Sequence, residues 1–209
     1  STFHSFCAKL LRFEIDGFLG YTKNFSIYDS SDQVTLMKSC LKELNLDDKQ
    51  FPPRTVLGIV SSAKNASLRA DAFAKSADDF YTLKISEAYT LYEKKLKDNN
   101  AVDFDDLLLL AVKLLQERQD IREKYQERFR YILVDEYQDT NKAQYLLTQI
   151  LAAKWRNICV VGDADQSIYA WRGADIQNIM DFMRDYPDGT NVKLEQNYRS
   201  TKTVLQAAN

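Results

Sequence analysis

The strongest constraint on the fold is a change in hydrophobic period near Arg130. From about Phe6 to Gln126 apolar residues recur at helical spacing, and runs of β-branched residues bounded by turns are missing. This stretch is expected to be nearly all helix. Beyond Arg130 come short apolar runs, Tyr131-Ile132-Leu133-Val134, Ile158-Cys159-Val160-Val161 and Val192-Lys193-Leu194. Helical stretches at about 141–153 and 175–185 separate them. Strands alternating with helices imply an α/β domain with a parallel sheet covered on both faces.

Local signals refine the helical half. Ser30-Ser31-Asp32 offers an N-cap before Val34, Met37, Leu41 and Leu44, and Pro52-Pro53 suits a helix opening. A longer helix is expected from about Asp79 to Asp98, burying Phe80, Leu83, Ala88, Leu91 and Leu96, and ended by Asn99-Asn100. Asp103 should cap the next helix, whose run Leu107 to Leu115 is apolar on more than one face and so belongs between layers.

Composition excludes several classes. With 28 Lys+Arg against 30 Asp+Glu the net charge is −2, so no basic arm announces a nucleic acid or membrane, and any such partner must be recognised locally. Cys7, Cys40 and Cys159 have no C-x-x-C spacing and read as reduced thiols of a cytosolic protein. His4 is the single histidine, which excludes any mechanism needing two imidazoles. No apolar run approaches a membrane span. The chain starts without Met and stops inside a helical pattern at Gln206-Ala207-Ala208-Asn209, and is expected to be an internal piece of a longer protein.

Four segments carry candidate chemistry. Asp135-Glu136-Tyr137-Gln138-Asp139-Thr140 follows an apolar strand, where open α/β sheets bind ligands. One carboxylate could hold Mg²⁺ and the next orient a water for attack on phosphate. Equally, Asp139 or Thr140 could merely cap the following helix. Gly162-Asp163-Ala164-Asp165-Gln166-Ser167-Ile168-Tyr169-Ala170-Trp171-Arg172-Gly173 also follows a strand. Its Gln166 could sense a phosphate or water, and Tyr169 and Trp171 could stack on bases or simply pack in a core. In Gln196-Asn197-Tyr198-Arg199-Ser200, Arg199 could act as an arginine finger and Tyr198 could stack on a purine; alone the triplet also reads as a helix start. Thr2-Phe3-His4-Ser5 could touch a sugar-phosphate backbone, or Ser5 could cap a helix. None of the six glycines fits the phosphate cradle G-x-x-x-x-G-K-[ST].

Taken in order, these four segments resemble the UvrD/Rep/PcrA-type superfamily-one DNA helicases, most nearly the PcrA members, over essentially the whole chain. The resemblance implies a partial RecA-like (P-loop NTPase) parallel sheet with an inserted all-helical subdomain. Residues 1–15 and 103–196 would form the motor domain, 16–102 the insertion, and 197–209 the start of a second motor domain. It implies Mg²⁺ at Asp135, water activation by Glu136, γ-phosphate contacts from Gln166 and Arg199, and adenine stacking by Tyr198. Phe3, His4, Tyr169, Trp171 and Arg172 are implied to contact single-stranded DNA. The parent would be a cytoplasmic ATP-dependent helicase moving 3′ to 5′ on single strands and single/double-strand junctions, in DNA repair or replication. Without the phosphate cradle and the second motor domain, this piece alone is expected to be inactive. Two alternatives are a non-catalytic single-strand-binding module and a helicase-nuclease subunit of the same superfamily.

Overall fold

The computed structural model describes residues 1–170 and 173–208. Residues Ser1–Ile179 form one compact unit and the chain from Met180 onward a second. The first unit begins with α1 (Phe3–Glu14), capped by the Thr2 hydroxyl, which accepts the Ser5 N–H. There follow β1 (Ser26–Ile27), α2 (Ser30–Glu43), α3 (Pro53–Asn65), α4 (Ala70–Ser76), α5 (Phe80–Asp98) and β2 (Ala101–Val102). Next come α6 (Phe104–Glu117), α7 (Gln119–Arg128), β3 (Ile132–Val134), α8 (Lys142–Ala152), β4 (Ile158–Val160) and α9 (Gln177–Met180). The second unit holds α10 (Phe182–Asp185) and α11 (Lys202–Ala208).

Helix starts follow local chemistry. Asp29, not Ser30, caps α2, and Asp32 answers it as the third helical residue in a reciprocal capping box. Pro52 and Pro53 open α3, Asp103 caps α6 as expected, and Asp79 caps α5 where the helix was expected to begin. On α5 the buried stripe is Ile85, Ala88, Tyr89, Tyr92 and Leu96. Phe80 and Leu83 are exposed, because at 100° per residue they fall off that stripe, contrary to the sequence expectation. The helical half also contains strands: β1 pairs parallel with β2, Ser26 opposite Ala101 and Ile27 opposite Val102. Two-residue strands are too short to show a period in sequence.

The apolar side chains separate into two clusters. One gathers α1, α6, α7 and α8 around Cys7, Leu10, Leu11, Leu108, Ala111, Leu114, Leu115 and Leu147. The other gathers α2, α3, α4 and α5 around Met37, Leu41, Phe51, Val56, Val60, Tyr89 and Tyr92. α6 lies between layers, with eight apolar residues from Leu107 to Leu115 buried.

Where the clusters meet, Lys64 on α3 is fully buried, its Nζ 2.6 Å from both Asp103 Oδ2 and Asp106 Oδ1. The other oxygen of each carboxylate makes the α6 capping box: Asp103 Oδ1 accepts the Asp106 N–H, and Asp106 Oδ2 accepts the Asp103 N–H. The Tyr92 hydroxyl donates to Asp103 Oδ2 at 3.1 Å. Burial alone would lower the Lys64 pKa, but Asp103 and Asp106 outweigh it and hold the ammonium well above its ordinary value.

β3 and β4 pair parallel, Ile132 opposite Ile158, Leu133 opposite Cys159 and Val134 opposite Val160. Two expectations are corrected here. The sheet is covered on one face: Leu133 is 78% exposed and its register partner Cys159 is exposed with it, because among the described residues helices pack only behind the alternate positions. Residues 192–194 are not a strand: Val192 and Leu194 are exposed and no described segment offers them a ladder partner. The helical stretch expected at 175–185 is present as the two short helices α9 and α10.

Two outcomes follow from the buried ion cluster. Lys64→Met removes the cation and strands two carboxylates, and should destabilise the fold by about 3–5 kcal/mol in denaturant titrations. Burial, then the charge of Asp103, pushes the Asp106 carboxyl up to about 7, above its unfolded value. A carboxyl raised in the folded state stabilises at low pH, and that contribution is lost as pH rises through about 7. Stability should therefore fall between about pH 4 and pH 7 and level off above, with a slope no steeper than about 1.4 kcal/mol per pH unit. Asp106→Asn should flatten this dependence; an unchanged slope in that variant would place the titration elsewhere.

Candidate functional site

The carboxyl ends of β3 and β4 carry two loops stitched to each other. The Val161 N–H donates to Val134 O at 2.8 Å and the Tyr137 N–H to Val161 O at 3.0 Å. Asp135 and Glu136 leave β3 exposed, and Asp135 Oδ1 accepts the Glu136 N–H. Glu136 has φ 51° and ψ 46°, a left-handed conformation that costs a non-glycine residue energy and recurs at functional sites. A 3-10 turn, Tyr137–Asp139, follows. The helix beyond is capped by Asn141 with Gln144, so neither Asp139 nor Thr140 takes that role; the Thr140 hydroxyl donates to Tyr137 O instead.

The second loop turns through Ala164–Gln166, with Asp163 capping it. Asp163 Oδ1 accepts the Asp165 N–H, and Oδ2 accepts Gln166 Nε2 at 2.7 Å, so the exposed Gln166 amide is held back on its own loop. The link between the loops is Gln138, 1% exposed. Its Nε2 donates to Glu136 Oε2 at 2.8 Å, and its Oε1 accepts the Asp163 N–H at 3.1 Å. Gly162 makes the approach possible, since a Cβ there would lie 2.5 Å from Gln138 Oε1.

Beside these loops lies a cleft of about 590 Å³ whose lining includes His4, Asn65, Phe104, Asp105, Asp139 and Tyr169. The His4 and Phe104 rings sit 5.1 Å apart and tilted by 41°. Burial lowers the His4 pKa, with Asp105 opposing, which favours the neutral ring at pH 7. Tyr169 is partly exposed, and Asp139 Oδ1 is buried without a hydrogen-bond partner among the described residues. Asn65 ties the walls together: its Nδ2 donates to Asp105 Oδ1 at 3.3 Å and its Oδ1 accepts Asn141 Nδ2 at 2.5 Å. Phe3 packs against the apolar core of α1 and α6 and is not among the cleft residues.

In the second unit Tyr198 is 91% exposed and Arg199 is exposed. Asn197 Oδ1 accepts the N–H groups of Arg199 and Ser200, each at 2.9 Å. Trp171 and Arg172 lie outside the described residues. The structure thus brings together Asp135, Glu136 and Gln166 at the strand ends, and His4 and Tyr169 in the cleft.

Residues 1–187 match the model of the UvrD/REP helicase N-terminal domain. The chain belongs to this family. It is 53% identical over its full length to the ATP-dependent DNA helicase PcrA of Bacillus subtilis (strain 168), and 50% identical to those of Staphylococcus aureus (strain Mu50 / ATCC 700699) and Leuconostoc citreum. It spans 28% of the length of each of these relatives.

In this UvrD/REP-type chain the sequence reading passed over Gln138, Asn65 and Phe104. Gln138 and Asn65 are neutral amides whose roles arise from groups 25 and 76 positions away, Asp163 and Asn141. Phe104 stands at helical spacing with the buried Leu108, Ala111 and Leu115, so its period reads as core and gave no signal of its exposed ring. No described helix is long and apolar enough to cross a membrane.

Proposed function

We propose that this chain is part of an ATP-dependent DNA helicase and translocase that moves 3′ to 5′ on single-stranded DNA, and that β3 and β4 belong to a RecA-like motor sheet. In this reading the α2–α5 cluster is the helical insertion of residues 16–102, and residues 197–209 begin a second motor domain. One observation carries it: two polar loops at the carboxyl ends of adjacent parallel strands are bonded to each other and lie beside a ring-lined cleft. The family relationship supports the same reading.

The donor set fits a Mg²⁺-nucleotide in part. Asp135 and Glu136 are exposed hard-oxygen donors, and no cluster of three metal-binding side chains occurs among the described residues. The exposed carboxylate pair suits Mg²⁺, which takes one or two carboxylates together with waters and phosphates. When bound, the ion would neutralise charge on the phosphates. Asp135 would hold it, and Glu136 would orient the attacking water. Gln166 and Arg199 would contact the γ-phosphate side and Tyr198 the adenine. These 209 residues contain no G-x-x-x-x-G-K-[ST] cradle for the β- and γ-phosphates, so the isolated chain is assigned no turnover.

The cleft would take a single strand. His4, Phe104 and Tyr169 offer ring faces, which bind bases without a basic groove and so suit a net charge of −2. Trp171 and Arg172 would also contact the strand, Phe3 would support the site from the core, and single/double-strand junctions would be bound as well. Work on DNA in repair or replication and a cytoplasmic location accord with this role. Because the cleft is built within the chain and the phosphate cradle is not, the isolated chain is assigned single-strand binding without catalysis.

The isolated chain should show no ATPase above background, whereas a full-length protein carrying it should show DNA-stimulated ATPase that Glu136→Gln abolishes. Turnover in the isolated chain that vanishes in Glu136→Gln would overturn the division of labour. Tyr169→Ala should weaken single-strand binding by about 1–3 kcal/mol in fluorescence titrations; unchanged affinity would return Tyr169 to a packing role.

A further inference from the structure

We infer that Gln138 is a positioning residue that holds the Glu136 carboxylate in register with the Asp163–Gln166 loop, so that the two loops move as one. The inference rests on the function proposed above and names a residue that function does not require. Its physical basis is the division of one amide between two loops. The Glu136 carboxylate can only accept, so it must face the amide's N–H₂; the Asp163 N–H can only donate, so it must face the amide's oxygen. Both demands fix the orientation of the side chain uniquely.

Other side chains fail at this position for separate reasons. Glu would set a second carboxylate against Glu136, Leu would leave the part-buried Asp163 N–H without its acceptor, and Asn is one methylene short. Gly162 supplies the second observation. Its missing Cβ is what admits Gln138 Oε1, with Ile179 Cδ1 closing the same space 2.8 Å from where that Cβ would be. The Gln166 amide is held by Asp163 Oδ2, so the path from Glu136 through Gln138 and Asp163 to Gln166 is continuous in hydrogen bonds and one covalent residue. A displacement of either loop must break a Gln138 bond or carry the other loop with it. The first alternative strands a buried polar group, so concerted movement is favoured.

The test uses a full-length protein carrying this chain, with Gln138→Leu and Gly162→Ala. The second variant keeps the glutamine and sets a Cβ against its amide oxygen and the flexible end of Ile179. Both should lower kcat of DNA-stimulated ATPase by roughly 10- to 100-fold, while KM for ATP and single-strand affinity stay within about twofold. Hydrogen exchange supplies a readout independent of turnover: the Asp163 amide should exchange about tenfold faster or more in both variants, with the melting transition still cooperative. Stimulated turnover in the parent that survives unchanged in both folded variants would overturn the inference and leave the proposed function standing, as would an unchanged Asp163 exchange rate. No stimulated turnover in the parent would overturn the proposed function itself, and the inference with it.

Discussion

The architecture of the first unit depends on one buried ammonium. Lys64 Nζ satisfies two carboxylates that have already spent their other oxygens on capping α6. A lysine enclosed this way is tolerated only because both anions lie within hydrogen-bonding distance, and the anions are tolerated only because the lysine is there. The consequence is geometric. α3 belongs to one apolar cluster and α6 to the other, so the ion cluster fixes how the clusters meet and where the first turn of α6 begins.

That first turn also serves the candidate site. Phe104 and Asp105 emerge immediately after the cap, one against His4 and the other against Asn65. Asn65 follows Lys64 on α3 and reaches Asn141 at the start of α8. Upstream of α8, Gln138 joins the acidic loop to the loop after β4. The carboxylates at the end of β3 and the ring-lined cleft are thus connected by short polar steps through buried or half-buried amides. Such steps hold geometry because an unpaired member would cost a desolvated polar group.

Much of this was legible in the sequence. The switch of period near Arg130 located the passage from helices to strands, Asp79 and Asp103 marked their helices, and the run Leu107 to Leu115 announced a helix buried between layers. The acidic and Gly-Asp-Ala-Asp-Gln segments were placed correctly at the ends of β3 and β4. The failures share a cause. Residues 192–194 have a strand's composition, but pairing needs a neighbour that composition does not name. Phe80 and Leu83 are apolar residues of a real helix, yet which arc faces inward is set by α2 and α4 packing against it.

The sequence by itself determined the elements that depend on neighbours within one helical turn or one strand: capped helices, short apolar strands, and polar loops placed just beyond them. It also determined the family, because ordered motifs are a property of the chain. Only the tertiary structure decided that Lys64 is a buried counterion and not a solvated lysine. In the same way it decided that Gln138 bridges two loops and that His4, Phe104 and Tyr169 share a cleft. The physical reason is that an amide, a lone lysine or an isolated ring carries no periodic signal; its role is set by whatever distant group the fold places within about 3–5 Å of it.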